Sequence, residues 1–278
     1  MTVNEVALLV TSSTRDGGMA TLVDVRTGTQ VAYLKNSAAS SGATALIAGD
    51  FVVSAQVKGT ALHFWAWGTE QPRLKFHAPE KLGPLAVSCD GSLCAGGGIS
   101  GRVYVWEVSS GTLLRTWDAH YKAVSALTFS PDGGFLYSGG EDAMLSCWNM
   151  LEVVDPEGGD SLKGGGRPSL RATWTASEHT LPVTCVYAGV GGGRVFSSSL
   201  DRSAKAWDAC SGRLLLSLTC PVFLRAVCTD PSEAFLFAGG GNGVIFQVDI
   251  GATAIAATAS DAALGSSGAF AAEEASEA

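Results

Sequence analysis

The sequence predicts an all-β chain built from a repeated four-stranded unit, and three observations support this. Glycine accounts for 35 of the 278 residues, about twice its usual share, and it lies between short apolar runs rather than in one tract. Those runs are rich in β-branched and aromatic residues, which favour strands. A strand that ends in an aromatic or apolar residue followed by a polar one recurs along the chain. Many short strands joined by tight turns are therefore expected.

The recurring strand defines six anchor positions with a regular spacing. They are Val23, Trp65, Trp106, Trp148, Trp207 and Val248. Successive separations are 42, 41, 42, 59 and 41 residues. The single long interval contains the Gly- and Pro-rich segment 152–170, which lacks hydrophobic periodicity and is predicted to be a surface insertion. Without this insertion the repeat keeps its period.

The unit at 120–150 shows the order of elements within one repeat. AVSALTFS alternates with a period of two, PDGG has turn chemistry, FLYSGG is short and apolar, and AMLSCWNM carries the anchor. Four strands per unit is typical of a propeller blade, and a period of about 40–45 with Trp-Asp endings is the WD-repeat signature. Helical repeats can share this period, but no unit contains a long amphipathic stripe. The predicted fold is a WD-repeat β-propeller with six recognisable blades.

Composition and charge exclude several classes of function. Apolar residues make up 46% and charged residues 16% of the chain, so disorder over most of its length is excluded. No apolar run approaches the roughly 20 residues of a spanning helix, and no membrane partner is expected. The formal net charge of -8 repels polyphosphates, so contact with RNA is expected to be indirect. The seven cysteines form no Cys-x-x-Cys pair and are interpreted as small buried hydrophobes inside the cell.

Two blades repeat a set of polar residues at identical spacing. His, Ser, Asp and Trp stand at relative offsets 0, 18, 22 and 28 in both blades. The sets are His120, Ser138, Asp142 and Trp148, and His179, Ser197, Asp201 and Trp207. Ser, His and Asp are also the components of an acyl-transfer triad, but a nucleophile site occurs once, whereas this set occurs twice, each time with its own Trp. We predict a structural hydrogen-bond network that runs from the indole through Ser and His to Asp and pins a turn to its sheet.

The remaining blades lack this set. Gly59, Ser100 and Asn242 stand where the Asp is needed, so these blades are expected to rely on packing and backbone pairing and to be free to diverge toward partner binding. Gly96–Gly98 with Gly101 resemble a phosphate loop only loosely, since no helix or Gly-Lys-Ser/Thr follows, and are interpreted as a strand-to-strand turn.

The other polar residues that stand out have ordinary interpretations. Arg202 and Lys205 flank Asp201 and are predicted to form a solvated face, and His63 and His77 are predicted to be partly solvated strand residues. No catalytic, cofactor-binding or metal-binding residue is predicted, and the chain is not expected to be an enzyme.

Several segments, taken in order, resemble one family. They are HYKAVSALTFSPDGGFLYSGGEDAMLSCWNM, the insertion opening LEVVDP, HTLPVTCVYAG, SSLDRSAKAWDACSGRLLLSL and GNGVIFQVDI. Together they resemble the WD-repeat protein 18 family, which supplies the propeller subunit of the pre-ribosomal complex that processes the second internal transcribed spacer. The resemblance runs from about residue 4 to 250 and is most specific between 103 and 250.

The resemblance implies a non-enzymatic scaffold for large ribosomal subunit biogenesis, located in the nucleolus and nucleoplasm. Its implied partners are the helical-repeat subunit of the complex, the large-subunit pre-ribosome and a midasin-type remodelling ATPase. The repeat alone leaves an alternative open, which is another WD-repeat adaptor such as a substrate receptor of a ubiquitin ligase.

The sequence departs from this family in its number of blades, because the family has seven and six are recognisable here. The expected organisation is a propeller over 1–250 and an Ala-rich acidic tail over 251–278 that is largely disordered. A missing blade leaves two sheet edges without partners. We therefore expect a truncated chain with an incomplete ring, open between the N-terminal strands and the blade that ends at Ile250. The alternative is a ring that closes with six blades.

Overall fold

The structure of the chain is a computed structural model. The structure describes residues 8–11, 20–23, 28–34, 44–47, 51–56, 59–66, 69, 71–155 and 170–251. Within them, 22 strands form six separate antiparallel sheets, which follow one another in chain order. The prediction of an all-β chain made of repeated sheets is confirmed.

The bounds of the strands follow chain order within each sheet. Sheet 1 contains β1 (Leu8–Thr11), β2 (Ala20–Val23) and β3 (Gln30–Leu34). Sheet 2 contains β4 (Thr44–Ile47), β5 (Phe51–Ala55), β6 (Ala61–Ala66) and β7 (Leu74–His77). Sheet 3 contains β8 (Leu82–Val87), β9 (Leu93–Gly98), β10 (Arg102–Glu107) and β11 (Leu113–Asp118).

The second half of the chain repeats this plan. Sheet 4 contains β12 (Val124–Phe129), β13 (Phe135–Gly140), β14 (Leu145–Asn149) and β15 (Trp174–Ala176). Sheet 5 contains β16 (Val183–Ala188), β17 (Arg194–Ser199), β18 (Ser203–Asp208) and β19 (Leu214–Thr219). Sheet 6 contains β20 (Leu224–Thr229), β21 (Phe235–Gly240) and β22 (Ile245–Asp249). The helix α1 (Met150–Val154) follows β14.

The anchor residues lie on the third strand of sheets 2 to 6 and on the second described strand of sheet 1. They lie on β2, β6, β10, β14, β18 and β22. Each pairs with an apolar or Cys residue on the preceding strand, and the pairs are Val23 with Leu8, Trp65 with Val52, Trp106 with Cys94, Trp148 with Leu136, Trp207 with Val195 and Val248 with Leu236. The common register shows that the sequence repeat is also a structural repeat.

Neighbouring sheets pack face to face, as in a propeller. The first strands of sheets 2 to 6, which are β4, β8, β12, β16 and β20, contact one another in series. Between sheets 3 and 4 the rings of Trp117 and Trp148 lie 5.4 Å apart. Because sheets 3 to 5 have neighbours on both sides, both of their faces carry apolar side chains, which is why their third strands, β10, β14 and β18, are buried almost throughout.

Glycines allow the close approach of one sheet to the next. A Cβ on Gly97 would lie 2.6 Å from Val124 of sheet 4, and a Cβ on Gly139 would lie 2.6 Å from Val183 of sheet 5. The interpretation of Gly96–Gly98 as a turn is therefore wrong, since these residues form the buried end of β9. Only Gly101, with a φ of 89°, lies in the turn that follows.

Sheets 1 and 6 each have three described strands. In sheet 1 the strand order is β1-β2-β3, and in sheet 6 it is β20-β21-β22. No hydrogen-bonded strand pair joins these two sheets within the described ranges. The described strands therefore do not close a ring, in agreement with the gap expected between the N-terminal strands and the blade that ends at Ile250.

The predicted surface insertion, 152–170, begins with helical structure that the sequence analysis did not expect. The Asn149 side chain accepts a hydrogen bond from the Leu151 amide at 3.0 Å and caps α1. Met150 and Val153 are buried against sheets 3 and 4, so an apolar i, i+3 pair holds this turn in place. Residues 156–169 and most of the predicted tail, 252–278, lie outside the described residues.

No helix in the described part of the chain has the length and apolar character needed to cross a bilayer.

Candidate functional site

The first predicted set of polar residues forms a continuous hydrogen-bonded chain in sheet 4. The indole nitrogen of Trp148 donates to the Ser138 hydroxyl at 2.9 Å. That hydroxyl lies 2.8 Å from Nε2 of His120, and Nδ1 of His120 lies 3.0 Å from the Asp142 carboxylate. The other carboxylate oxygen accepts a hydrogen bond from the Tyr121 amide at 3.0 Å. The chain links an anchor strand to the loop that enters the sheet.

The pattern of donors and acceptors assigns the protonation of His120. Ser138 accepts from the indole, so its own O–H is free to donate to Nε2 of His120. Nδ1 then carries the proton and donates it to Asp142. In this neutral tautomer every polar hydrogen of the chain has an acceptor, whereas a second proton on the imidazole would leave the Ser138 O–H without one.

The second set forms the same chain in sheet 5, with one addition. The indole of Trp207 donates to Ser197 at 2.8 Å, Ser197 lies 2.8 Å from Nε2 of His179, and Nδ1 of His179 lies 2.9 Å from Asp201. The Ser203 hydroxyl also donates to Asp201 at 2.5 Å. The structure thus brings together all eight residues that the spacing singled out, four in each sheet.

Burial and hydrogen bonding oppose each other at Asp142. Burial raises the pKa of this carboxyl, but hydrogen bonds from His120 and from the amides of Tyr121 and Met144 outweigh it, so the pKa is lowered. Asp142 is therefore ionised at neutral pH.

In sheet 5 both members of the pair have pKa values below their ordinary range. Burial lowers the pKa of His179, and the nearby carboxylate of Asp201 only partly compensates. For Asp201, burial raises the pKa, but hydrogen bonds from Ser203, His179 and the Thr180 amide outweigh it and bring the pKa to about 2. A neutral imidazole beside an ionised carboxylate is the favoured state of the pair.

These two sets are poorly placed for nucleophilic catalysis. Ser138 and Ser197 are fully buried, and each hydroxyl is occupied by an indole and an imidazole. A nucleophile must be reached by its substrate. The geometry fits a structural pin, and that role of the eight residues stays a prediction that substitutions can test.

Sheet 3 contains a different polar cluster that the sequence analysis missed. Ala78 and Gly96 occupy the positions of the His and the Ser, but the carboxylate of Glu80 accepts from the Ser100 hydroxyl at 2.5 Å and from the Tyr104 hydroxyl at 2.8 Å. The Ser100 amide also donates to it, at 3.1 Å. The expectation that this blade relies on packing and backbone pairing alone is therefore wrong, because Glu80 joins the entry loop to the third strand.

The other polar residues that the sequence singled out differ in how exposed they are. Arg202 is exposed, but Lys205 is 8% exposed on β18, so the prediction that it lies on a solvated face is wrong. Lys205 lies on the anchor strand of a sheet with neighbours on both sides, which explains the burial. His77 is exposed at the end of β7, and His63 is half-buried with Nδ1 3.1 Å from the Gln56 amide nitrogen.

The cysteines are only partly the buried hydrophobes that were expected. All seven are free thiols. Cys94, Cys147 and Cys220 are buried, and burial raises the pKa of the Cys94 and Cys147 thiols to about 12. Three others are exposed, because they lie in turns or on the outer sheet 6, namely Cys89, Cys210 and Cys228. In the described ranges, no group of three or more His, Cys, Asp or Glu side chains could hold a metal ion.

Comparison with known proteins places the two networks within recognised repeats. Residues 111–149 and 170–208 match the WD40 family, described as WD domain, G-beta repeat. Each matched segment contains one complete His-Ser-Asp-Trp set. The WD-repeat fold class predicted from the sequence is thereby confirmed.

Longer similarities cover most of the chain. It is 34% identical over 230 residues to WD repeat-containing protein 18 of Bos taurus, covering 82% of this chain and 51% of the relative. It is 31% identical over 251 residues to Protein ROOT INITIATION DEFECTIVE 3 of Arabidopsis thaliana, covering 88% and 56%. It is 32% identical over 255 residues to Pre-rRNA-processing protein IPI3 of Yarrowia lipolytica, covering 87% and 56%. The chain spans about half the length of these curated relatives.

Proposed function

Because this chain belongs to the family of WD repeat-containing protein 18 and Pre-rRNA-processing protein IPI3, we propose that it is a non-enzymatic scaffold in large ribosomal subunit biogenesis. The proposed step is processing of the second internal transcribed spacer of pre-rRNA. The observation that carries this proposal is identity of 32–34% to these relatives over more than four fifths of the chain.

The proposed work of the protein is to bridge two macromolecules. One is the helical-repeat subunit of the processing complex, and the other is the pre-ribosomal particle on which a midasin-type ATPase acts. The nucleolus and nucleoplasm are the proposed location. Rigid sheets with surface loops at both ends suit such a role, since loops on a rigid scaffold can specialise for binding without disturbing the core.

Contact with RNA is proposed to be indirect. The net charge of -8 opposes association with a polyanion, and specific nucleic-acid binders gain much of their affinity from many basic contacts to phosphates. Purified chain is expected to show no salt-dependent affinity for bare precursor RNA. A steep loss of RNA affinity with added salt would contradict indirect docking.

The domain organisation is part of the same proposal, with a propeller over 1–250 and a dispensable acidic tail over 251–278. Removing 252–278 is expected to leave the melting temperature unchanged. A deletion within the insertion should be confined to 156–169, because Met150 and Val153 of α1 are buried. A large loss of stability after either deletion would contradict this division.

Affinity purification from cells tests the proposed function. Tagged chain is expected to retrieve the helical-repeat subunit together with large-subunit precursor RNA, and its depletion should cause precursors that retain the second internal transcribed spacer to accumulate. The alternative is an adaptor of a ubiquitin ligase, as the repeat alone would permit. Retrieval of ligase subunits with no change in precursor RNA would favour that alternative and overturn the proposal.

A further inference from the structure

The turn between the first two strands of sheet 6 contains a residue in an unusual backbone conformation. Glu233 has a φ of 53°, in the left-handed region that residues other than glycine rarely adopt. The same place in the turns of sheets 3, 4 and 5 is occupied by Gly91, Gly133 and Gly192, with φ values of 74°, 72° and 71°. In all four turns the amide of this residue donates to the carbonyl three residues earlier, at 2.9–3.0 Å. The backbone of Glu233 is therefore strained where glycine would not be.

The carboxylate of Glu233 reaches from sheet 6 to the corresponding turn of sheet 5. Its Oε1 accepts a hydrogen bond from the Gly191 amide at 2.9 Å, and its Oε2 lies 3.9 Å from Nε of Arg194. The Glu233 side chain is only 13% exposed, although it stands in a surface turn. A hydrogen bond to an ionised carboxylate is stronger than one between neutral groups. These contacts with the neighbouring sheet explain why the strained backbone conformation is retained.

Glycines in the turn of sheet 5 leave space for this carboxylate. The turn has the sequence Gly-Val-Gly-Gly-Gly over 189–193. A Cβ on Gly189 would overlap Oε1 of Glu233 and lie 2.8 Å from its carboxyl carbon, and a Cβ on Gly191 would lie 3.2 Å from the same oxygen. By contrast, a Cβ on Gly193 would meet no atom within 4 Å. Two of the glycines therefore accommodate the carboxylate, and Gly193 does not contribute to this space.

Within the described residues, sheet 6 packs against sheet 5 alone, and we call this contact the joint. The third strand of sheet 5 is buried almost throughout, whereas β22 is exposed at alternate positions. At the start of the first strands, the Thr184 hydroxyl donates across the joint to the Leu224 carbonyl at 2.9 Å. Ser125 makes the same kind of bond from sheet 4 to the Val183 carbonyl at 2.6 Å. Glu233 adds a connection at the opposite end of the joint, which the glycines at its place in sheets 4 and 5 cannot make.

We propose that Glu233 is a strained latch that holds sheet 6 on sheet 5, and that the turn 189–193 is its receptor. In the closed state the carboxylate is bound by Gly191 and Arg194, and the backbone of Glu233 is held in the left-handed region. In the open state the carboxylate is hydrated and the backbone relaxes.

The contacts and the strain of the latch act in opposite directions. The hydrogen bond from Gly191 and the charge of Arg194 favour the closed state, whereas the φ of Glu233 favours the open one. The joint therefore has two defined states and opens locally, without unfolding of the other sheets. The latch is a conformational device of this chain, and it does not depend on which partners the protein binds.

Hydrogen-deuterium exchange of the full chain, measured by mass spectrometry, tests the latch. Glu233→Ala keeps a residue other than glycine in the strained position but removes the carboxylate. Exchange in peptides from 235–249 should become roughly fivefold faster, the factor that corresponds to one ordinary hydrogen bond. Glu233→Gly and Glu233→Gln should each give a smaller increase, because the first also relieves the strain and the second retains an acceptor for the Gly191 amide. Peptides from 135–149 in sheet 4 should be unchanged in all three variants.

Substitution of the receptor turn tests the latch without changing Glu233. Gly189→Ala should displace the carboxylate and accelerate exchange in 235–249. In a Glu233→Gly background the same change should have little effect, because the displaced group is absent and only the Arg194 carbonyl, 3.2 Å from the added Cβ, remains close. The matched control is Gly193→Ala in the same turn, which should leave exchange unchanged in both backgrounds.

Three results would overturn the proposal. Unchanged exchange in 235–249 after Glu233→Ala would show that the carboxylate does not hold sheet 6. An equal increase in 135–149 would show loss of global stability rather than opening of one joint. Equal effects of Gly189→Ala in both backgrounds would show that its Cβ acts on a group other than this carboxylate. The latch predicts faster exchange in sheet 6 but not in sheet 4, and loss of the Gly189→Ala effect when Glu233 is replaced by glycine.

Discussion

Sheets 4 and 5 differ from sheet 3 in the groups that link the third strand to the entry loop. In sheet 5 a buried chain from Trp207 to Asp201 links the anchor strand to the entry loop. In sheet 3 a half-buried carboxylate, Glu80, makes the corresponding link to Ser100 and Tyr104.

The position of the carboxylate explains what each arrangement can contribute. Asp201 stands in the turn before the third strand and is nearly inaccessible, with its side chain 7% exposed. Glu80 stands in the entry loop, and its bond to Ser100 lies at the surface. Water can replace a surface partner but cannot easily replace a buried one. The comparison indicates that the burial of the carboxylate, more than the number of hydrogen bonds it accepts, should determine how much its removal destabilises the fold.

The largest effect is expected in sheet 5. Asp201→Ala removes the acceptor for His179, Ser203 and the Thr180 amide and leaves these donors buried. The free energy of unfolding should fall by about 3–5 kcal/mol, the usual result of breaking a buried charged network. Chemical denaturation measures it. A loss below about 1 kcal/mol would show that the network does not stabilise the sheet.

In sheet 4 the corresponding change should cost less. Asp142→Ala removes the hydrogen-bond acceptor of His120 and of the amides of Tyr121 and Met144. Unlike Asp201, however, this carboxylate has no hydroxyl partner equivalent to Ser203. We expect a loss of about 2–3 kcal/mol, measured under the same conditions as Asp201→Ala. Equal or reversed losses would remove the distinction between the two networks.

Sheet 3 should be the least sensitive of the three. Glu80→Gln keeps the shape of the side chain and part of its hydrogen bonding, and Glu80→Ala is expected to cost about 1 kcal/mol because Ser100 can bond to water instead. Thermal unfolding of both variants measures this. A loss for Glu80→Ala as large as that for Asp201→Ala would contradict the role given to burial.

The pH dependence of the free energy of unfolding tests the buried network of sheet 5, and its expected effect is smaller than that of the substitutions above. The folded state lowers the pKa of His179 below its ordinary value near 6.5, so the unfolded chain binds this proton more readily. The contribution is complete above about pH 6.5 and is lost as the pH falls below it. Asp201, with a pKa of about 2, contributes above its ordinary pKa near 3.9 and loses this only in stronger acid.

The slope of stability against pH between 7.5 and 5 should therefore be smaller in His179→Gln than in the unsubstituted chain. Denaturant midpoints across this range provide the measurement. The control is His77→Gln, which changes an exposed histidine at the end of β7 and should leave the slope unchanged. An unchanged slope in His179→Gln would show that the imidazole is not held neutral by the fold.

Much of the fold was predictable because equivalent residues of the repeated sheets recur at regular intervals in the sequence. The anchors and the two His-Ser-Asp-Trp sets were found at fixed offsets, and a constant offset in sequence means a constant register in space when the strands repeat. The identity of Asp142 as the partner of His120, for example, follows from the comparison with the second blade alone.

The rest depends on contacts that do not repeat. Glu80 was missed because it lies two residues after the position of the His, so its place in the hydrogen-bonding scheme has no counterpart in sheets 4 and 5. The burial of Lys205 was missed because a charged side chain next to an anchor normally predicts a solvated face, and only the packing of a neighbouring sheet reverses this.

The central claim is that each of the two buried networks joins the Trp indole of its anchor strand to the loop that enters the same sheet. With Trp labelled by ¹⁵N, nuclear magnetic resonance can follow the indole N–H of Trp148 and Trp207 separately. Ser197→Ala should shift the Trp207 indole signal and increase its hydrogen exchange while leaving Trp148 unchanged, and Ser138→Ala should do the reverse. Indole signals that respond to neither substitution would contradict the account.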